Sequence, residues 1–99
     1  MNHYEPDQLS NISVEALDET RSKIRYRVMS ETLYYCPGAD AERTDGELRL
    51  SFVRCPINKK CSVTHAAERD ASGENTIVVD NGGGPIVIVS EHGRRQIHP

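Results

Sequence analysis

Ninety-nine residues allow one domain and one modest core, because a chain this short buries only about 60–70% of its unfolded surface. The formal net charge is −3, with nine acidic residues against five basic in 1–46 and six against seven in 47–99. That balance calls for no polyanionic partner and disfavours nucleic acid as a ligand. One Phe and no Trp leave the core to Ile, Val, Leu and the four tyrosines. No stretch approaches the ~20 apolar residues of a membrane span.

Residues 1–20 read as a polar, flexible N-terminal extension. Ser13 to Leu17 has the composition for one helical turn, bracketed by Asn11, Asp18 and Thr20, and so short a turn needs docking to persist. From Lys23 the pattern becomes that of a strand: Ile24, Tyr26 and Val28 alternate with Lys23, Arg25 and Arg27, placing apolar side chains on one face and three cations on the other. Ser30-Glu31 reads as a tight turn into a second strand, Thr32 to Cys36, which Pro37-Gly38 ends. A loop through Thr44-Asp45-Gly46 leads to the strongest strand signal, residues 47–54, where Leu48, Leu50 and Phe52 alternate with Glu47, Arg49 and Ser51.

Pro56 to Lys60 reads as a turn and Cys61 to Ala67 as a fourth strand. Ile77-Val78-Val79 and Ile86 to Val89 make the fifth and sixth, separated by Asn81-Gly82-Gly83-Gly84. Both carry β-branched residues on two faces, so at least one of them should be buried on both sides. The expected fold is all-β, a six-stranded antiparallel β-sandwich or small barrel over residues 21–90, with a flexible C-terminal tail over 91–99.

The three cysteines, Cys36, Cys55 and Cys61, leave open a disulfide with one free thiol, part of a metal site, or three thiols. One disulfide and one free thiol is the favoured state. Cys55 and Cys61 flank a turn, where Cα atoms can approach the ~4.4–6.8 Å that a bridge requires, and Cys36 could reach either of them. The histidines give no catalytic set. His65 and Glu68 are three apart, an offset that turns them to opposite faces of a strand. The glycine run 82–84 lies between strands and lacks the helix and lysine of a phosphate loop. No enzymatic activity is expected.

The first strand IRYRVM, the break at Ser30-Glu31, the strand ending at Cys36, then DGELRLSFV and three more strands resemble the MAX family of small secreted fungal effectors, the ToxB-like six-stranded sandwiches. The resemblance spans about residues 22–90 and is closest at Gly46-Glu47-Leu48-Arg49. Members of that family bridge the start of the first strand to the region before the fifth, where this chain has no cysteine. The resemblance implies a monomeric, non-enzymatic virulence protein of a fungal pathogen, secreted and acting in host cells. It would need no cofactor and would bind a host protein, including immune-receptor domains, in some cases through sheet edges.

Secretion would require a signal segment, which MNHYEPDQLS does not provide; Met1 would then be an introduced start in place of the removed signal. Lys23, Arg25 and Arg27 are the candidate partner-binding residues, as a cationic row able to steer an acidic partner. The plainer role for such a row is to guard a sheet edge against aggregation.

A second resemblance starts at Phe52-Val53-Arg54-Cys55 and runs through Cys61-Ser62-Val63, Glu68-Arg69 and Ile77-Val78-Val79. It is to the zinc half of WRKY and FLYWCH-type domains, which bind DNA or protein and hold Zn²⁺ with two cysteines and two histidines. That reading implies zinc on Cys55, Cys61, His92 and His98, with Cys36 or His65 as substitutes. Those families space their histidines as His-x-His, whereas five residues separate His92 from His98.

Overall fold

One long strand, β6 (Glu47–Pro56), forms the axis of the larger of two sheets in the computed structural model, which describes residues 2–99. Its alternation does what the sequence predicts: Leu48, Leu50 and Phe52 are buried on the core side. On one flank β6 pairs antiparallel with β5 (Gly38–Thr44) and, beyond a break at Cys36-Pro37, with β4 (Tyr34–Tyr35). On the other flank β10 (Ile86–Val89) pairs with Leu48 to Leu50, and β1 (Asn2–His3) continues that lane against Val53 and Arg54. The sheet order is β11-β10-β6-β5-β7, with β7 at His65–Ala66 and β11 at Arg94–His98.

The second sheet has the order β2-β3-β9-β8, built from Leu9–Ala16, Arg21–Val28, Asn75–Asp80 and Glu68–Arg69. Leu9, Ile24, Tyr26, Ile77 and Val79 face Leu48, Leu50, Phe52, Ile86 and Ile88 across the interior. Tyr26 and Phe52 meet edge to face at 4.5 Å between ring centroids, joining the centres of the two sheets. The chain is therefore an all-β, two-sheet sandwich.

Several boundaries differ from those expected. Residues 1–20 are not a flexible extension over the described part: after β1 and a 3-10 turn at Pro6–Gln8, Leu9–Ala16 forms an eight-residue strand, and Ser13 to Leu17 takes no helical turn. The polar residues of β2 occupy its exposed side while Leu9, Ile12 and Val14 pack inward. The tail 91–99 is likewise not loose, since β11 completes a hairpin with β10.

No hairpin forms at Ser30-Glu31. Tyr26 and its neighbours pair with β2 and β9, and the second segment crosses to the other sheet, where Tyr34 and Tyr35 meet Pro56 and Cys55. The strand expected over Cys61 to Ala67 shrinks to His65–Ala66. The sandwich is also not wholly antiparallel. The glycine turn after β9 carries the chain from one sheet to the other, so β10 lies parallel to β6. Ile86, Val87 and Ile88 are all buried, as expected of a strand covered on both faces.

Candidate partner-binding site

The cationic row of β3 divides once the strands pair. β3 sits between β2 and β9, so Lys23, Arg25 and Arg27 lie on the outer face of an interior strand and cannot guard a sheet edge. Lys23 stands between Glu15 and Val78 in the neighbouring strands. Arg25 reaches Glu15 at 3.9 Å, an exposed pair worth little in water. Arg27 turns away from both and donates to the Ser72 carbonyl at 2.8 Å and to its hydroxyl at 3.1 Å.

The open border of that sheet is β2. In an antiparallel ladder, bonded positions recur every second residue. Because the Leu17 amide donates to the Arg21 carbonyl at 2.9 Å, Ser13, Glu15 and Leu17 direct their backbone groups toward β3. Val14 and Ala16 therefore point their N–H and C=O groups outward. The register breaks between Ser10 and Ser13, and Asn11 there has φ 52. Such a bulge blunts the N-terminal half of an edge and leaves Ser13 to Ala16 regular. Leu17, 42% exposed, extends this stretch with an apolar side chain. β11 of the opposite sheet comes close to β2 but forms no ladder with it.

On the far flank the β5 edge is partly closed by Thr64. Its hydroxyl accepts the Ala41 amide at 2.9 Å and donates to the Ala39 carbonyl at 3.2 Å, while its own amide donates to Asp40 at 3.0 Å. β7 and β8 are two residues each, too short to template a partner.

Cys55 and Cys61 are joined in a disulfide with Cα atoms 6.0 Å apart, and Cys36 is free. The bridge occupies both sulfurs that the zinc reading requires as thiolates. His92 lies in the bend after β10, and His98 lies opposite Ile86 on β11. Among the described residues no three His, Cys, Asp or Glu side chains converge on a metal-sized space. Cys36 is packed against the core, with Tyr26 Oη at 3.5 Å and the Gly38 carbonyl at 3.4 Å. Burial pushes its thiol up, which makes it a poor nucleophile.

Beside Cys36 lies a polar cluster at one end of the sandwich. Arg54 forks onto the Glu31 carboxylate and stacks over the Tyr34 ring at 3.9 Å. Hydrogen bonds from this guanidinium hold the Glu31 carboxyl below its ordinary range. Tyr4 is fully buried, and its hydroxyl faces Glu31 without reaching hydrogen-bonding geometry. Burial, with the Glu31 charge adding to it, pushes that phenol up. The cluster holds charge in place but presents no nucleophile beside a base. Among the described residues His65 Nδ1 meets only the neighbouring Thr64 hydroxyl, at 2.9 Å.

Sequence reasoning missed β2 as the exposed border, although Ser13-Val14-Glu15-Ala16 alternates as a strand does. It also missed the grouping of Glu31, Tyr34 and Arg54, which are distant in the chain and carry no local signal. No protein-family model, no curated protein and no solved structure matches this chain.

Proposed function

We propose that this chain is a secreted, non-enzymatic effector that binds a host protein by accepting one of its segments as an added strand on β2. The observation that carries the reading is the open border Ser13 to Ala16, where Val14 and Ala16 offer unpaired backbone donors and acceptors next to exposed Leu17. Main-chain hydrogen bonds of this kind supply affinity, and alternate side chains supply selectivity. The disulfide supports an oxidising compartment for the mature chain, because such bonds persist outside the reducing cytosol. The resemblance to MAX effectors supplies the class of partner, a host protein such as an immune-receptor domain.

Ala16→Pro tests this reading. The substitution removes an outward N–H that no strand of the protein uses, and a proline at an edge position is compatible with a sheet. The variant should fold with nearly the wild-type urea midpoint and lose the host proteins that the immobilised wild-type chain captures. Equal capture by Ala16→Pro would rule out the β2 border, and absence of any host protein on the wild-type chain would rule out the binding role.

A further inference from the structure

A cleft of about 480 Å³ opens where the C-terminal end of β3, β4 and the β8–β9 loop meet, within the size range of small-ligand sites. Two guanidiniums border it. A Cβ built on Gly73 would stand 3.6 Å from Arg27 Nη1 and 3.7 Å from Arg69 Nη2, so the two arginines are neighbours across one glycine. Neither forms an ion pair among the described residues. Arg27 gives two of its donors to Ser72, and the Arg69 guanidinium has no hydrogen-bond partner among the described residues.

Two nearby carboxylates are already engaged. Glu31, in the wall of the cleft, is forked by Arg54. Asp70 accepts the Ser72 amide and hydroxyl and the Glu74 amide. Two like charges held side by side in a partly enclosed space repel each other and favour an anion between them. The rest of the wall is mixed: Ser10, Ser30 and Asn75 are polar, while Tyr34, Tyr35 and Met29 add apolar bodies suited to the stem of a side chain.

We infer that this cleft is a carboxylate-binding site, built to take an aspartate or glutamate side chain of the partner protein between Arg27 and Arg69. A carboxylate fits better than a phosphoryl group because Asp70, whose carboxyl the Ser72 hydroxyl foremost and the nearby Arg27 charge help hold below the ordinary range, offsets part of the positive charge and leaves a site balanced for a monoanion. The inference deepens the host-protein reading by naming a residue type that the partner must present. It also reassigns Arg27 from the outer cationic row to the end of the sandwich.

The test is a titration of the uniformly ¹⁵N-labelled full chain, following its arginine guanidinium signals, with three blocked pentapeptides that differ only in a central glutamate, glutamine or phosphoserine. The glutamate peptide should move the Arg27 and Arg69 signals saturably. Binding should be about tenfold weaker, or more, for the glutamine peptide and for Arg69→Gln, as expected for loss of a charge-assisted hydrogen bond. Lys23→Gln, on the outer face, should bind as wild type. Absence of saturable movement, or equal binding of the glutamate and glutamine peptides, would overturn the site. Tighter binding of the phosphoserine peptide would replace the carboxylate with a phosphoryl ligand and overturn the assignment. The peptide comparison on the wild-type chain stands even if Arg69→Gln fails to fold. Ala16→Pro should leave the titration unchanged, so failure of the cleft and failure of the β2 border are read separately.

Discussion

Gly38 shows how one residue fixes the approach of two strands. Its φ is +155°, and a Cβ built there would fall 2.0 Å from the His65 carbonyl oxygen, a backbone atom that cannot step aside. Only glycine lets β5 and β7 come this close. Gly38→Ala should therefore cost about 3 kcal/mol through overpacking and loss of that pairing, read as a lower urea midpoint with an unchanged slope. A midpoint within experimental error of wild type would mean that β7 is not held against β5. The sequence marks Gly38 only as the end of a strand, because nothing local says that residue 65 will arrive opposite it. The Asp45-Gly46 turn is the reverse case: φ values of 54 and 77 close the β5–β6 hairpin, and Asp-Gly is a strong local signal for that turn.

Elements with polar sequences were the least legible. β5 reads Gly-Ala-Asp-Ala-Glu-Arg-Thr, and its small alanines give too weak an alternation to announce a strand, yet Ala39 is fully buried. β2 and β11 are edge strands with one exposed side, so their polarity mimics that of disordered tails until their neighbours are known. The segment after β6 erred in the other direction: residues 57–64 contain no strand, and the Cys55–Cys61 bridge ties them back to β6. The Tyr35 hydroxyl and the Cys55 sulfur both lie against the Lys59 carbonyl, at 3.0 and 3.6 Å. A bridge closing so short a loop is worth about 2 kcal/mol by constraining the unfolded chain. Reduction with dithiothreitol should lower the unfolding free energy by about that amount and speed amide exchange over residues 57–64, while the β3–β9 ladder stays protected. Identical urea curves before and after complete reduction would show that the loop holds itself.

At the scale of the whole molecule, acidic groups tie distant parts of the chain together. Glu47 at the start of β6 accepts Arg49 at 2.9 Å and both Arg94 nitrogens at 3.0 Å, spanning β10 to reach β11. These hydrogen bonds, the Arg94 pair foremost, hold its carboxyl at about 2. Asp18 is held at about 2 by the Thr20 amide first and then by Arg21. In both cases the folded protein binds its proton less readily than the unfolded chain does. Their stabilisation is therefore complete above the ordinary carboxylate range near 4 and is lost as pH falls from there through about 2. Stability should be flat from pH 7 to about 5 and decline toward pH 2, and Glu47→Gln should reduce that decline. Urea midpoints measured at pH 6, 4 and 2.5 for both proteins check this, and parallel curves would show that Glu47 takes no part.

The fold class and the inward faces of β3 and β6 were legible in the residue order, because alternation with period 2 is a property of the local backbone and needs no partner to be read. Among the three cysteine states left open, the residue order favoured one bridge with one free thiol. Packing settled which strands are neighbours, that Cys55 bonds Cys61, that β10 runs parallel to β6, and that Lys23, Arg25 and Arg27 lie on an interior strand. The border at β2 and the cleft between Arg27 and Arg69 belong to the same category. Each depends on which segments the packed core brings together or leaves unpaired, and that pairing is settled by burial of the whole apolar set at once rather than by any stretch alone.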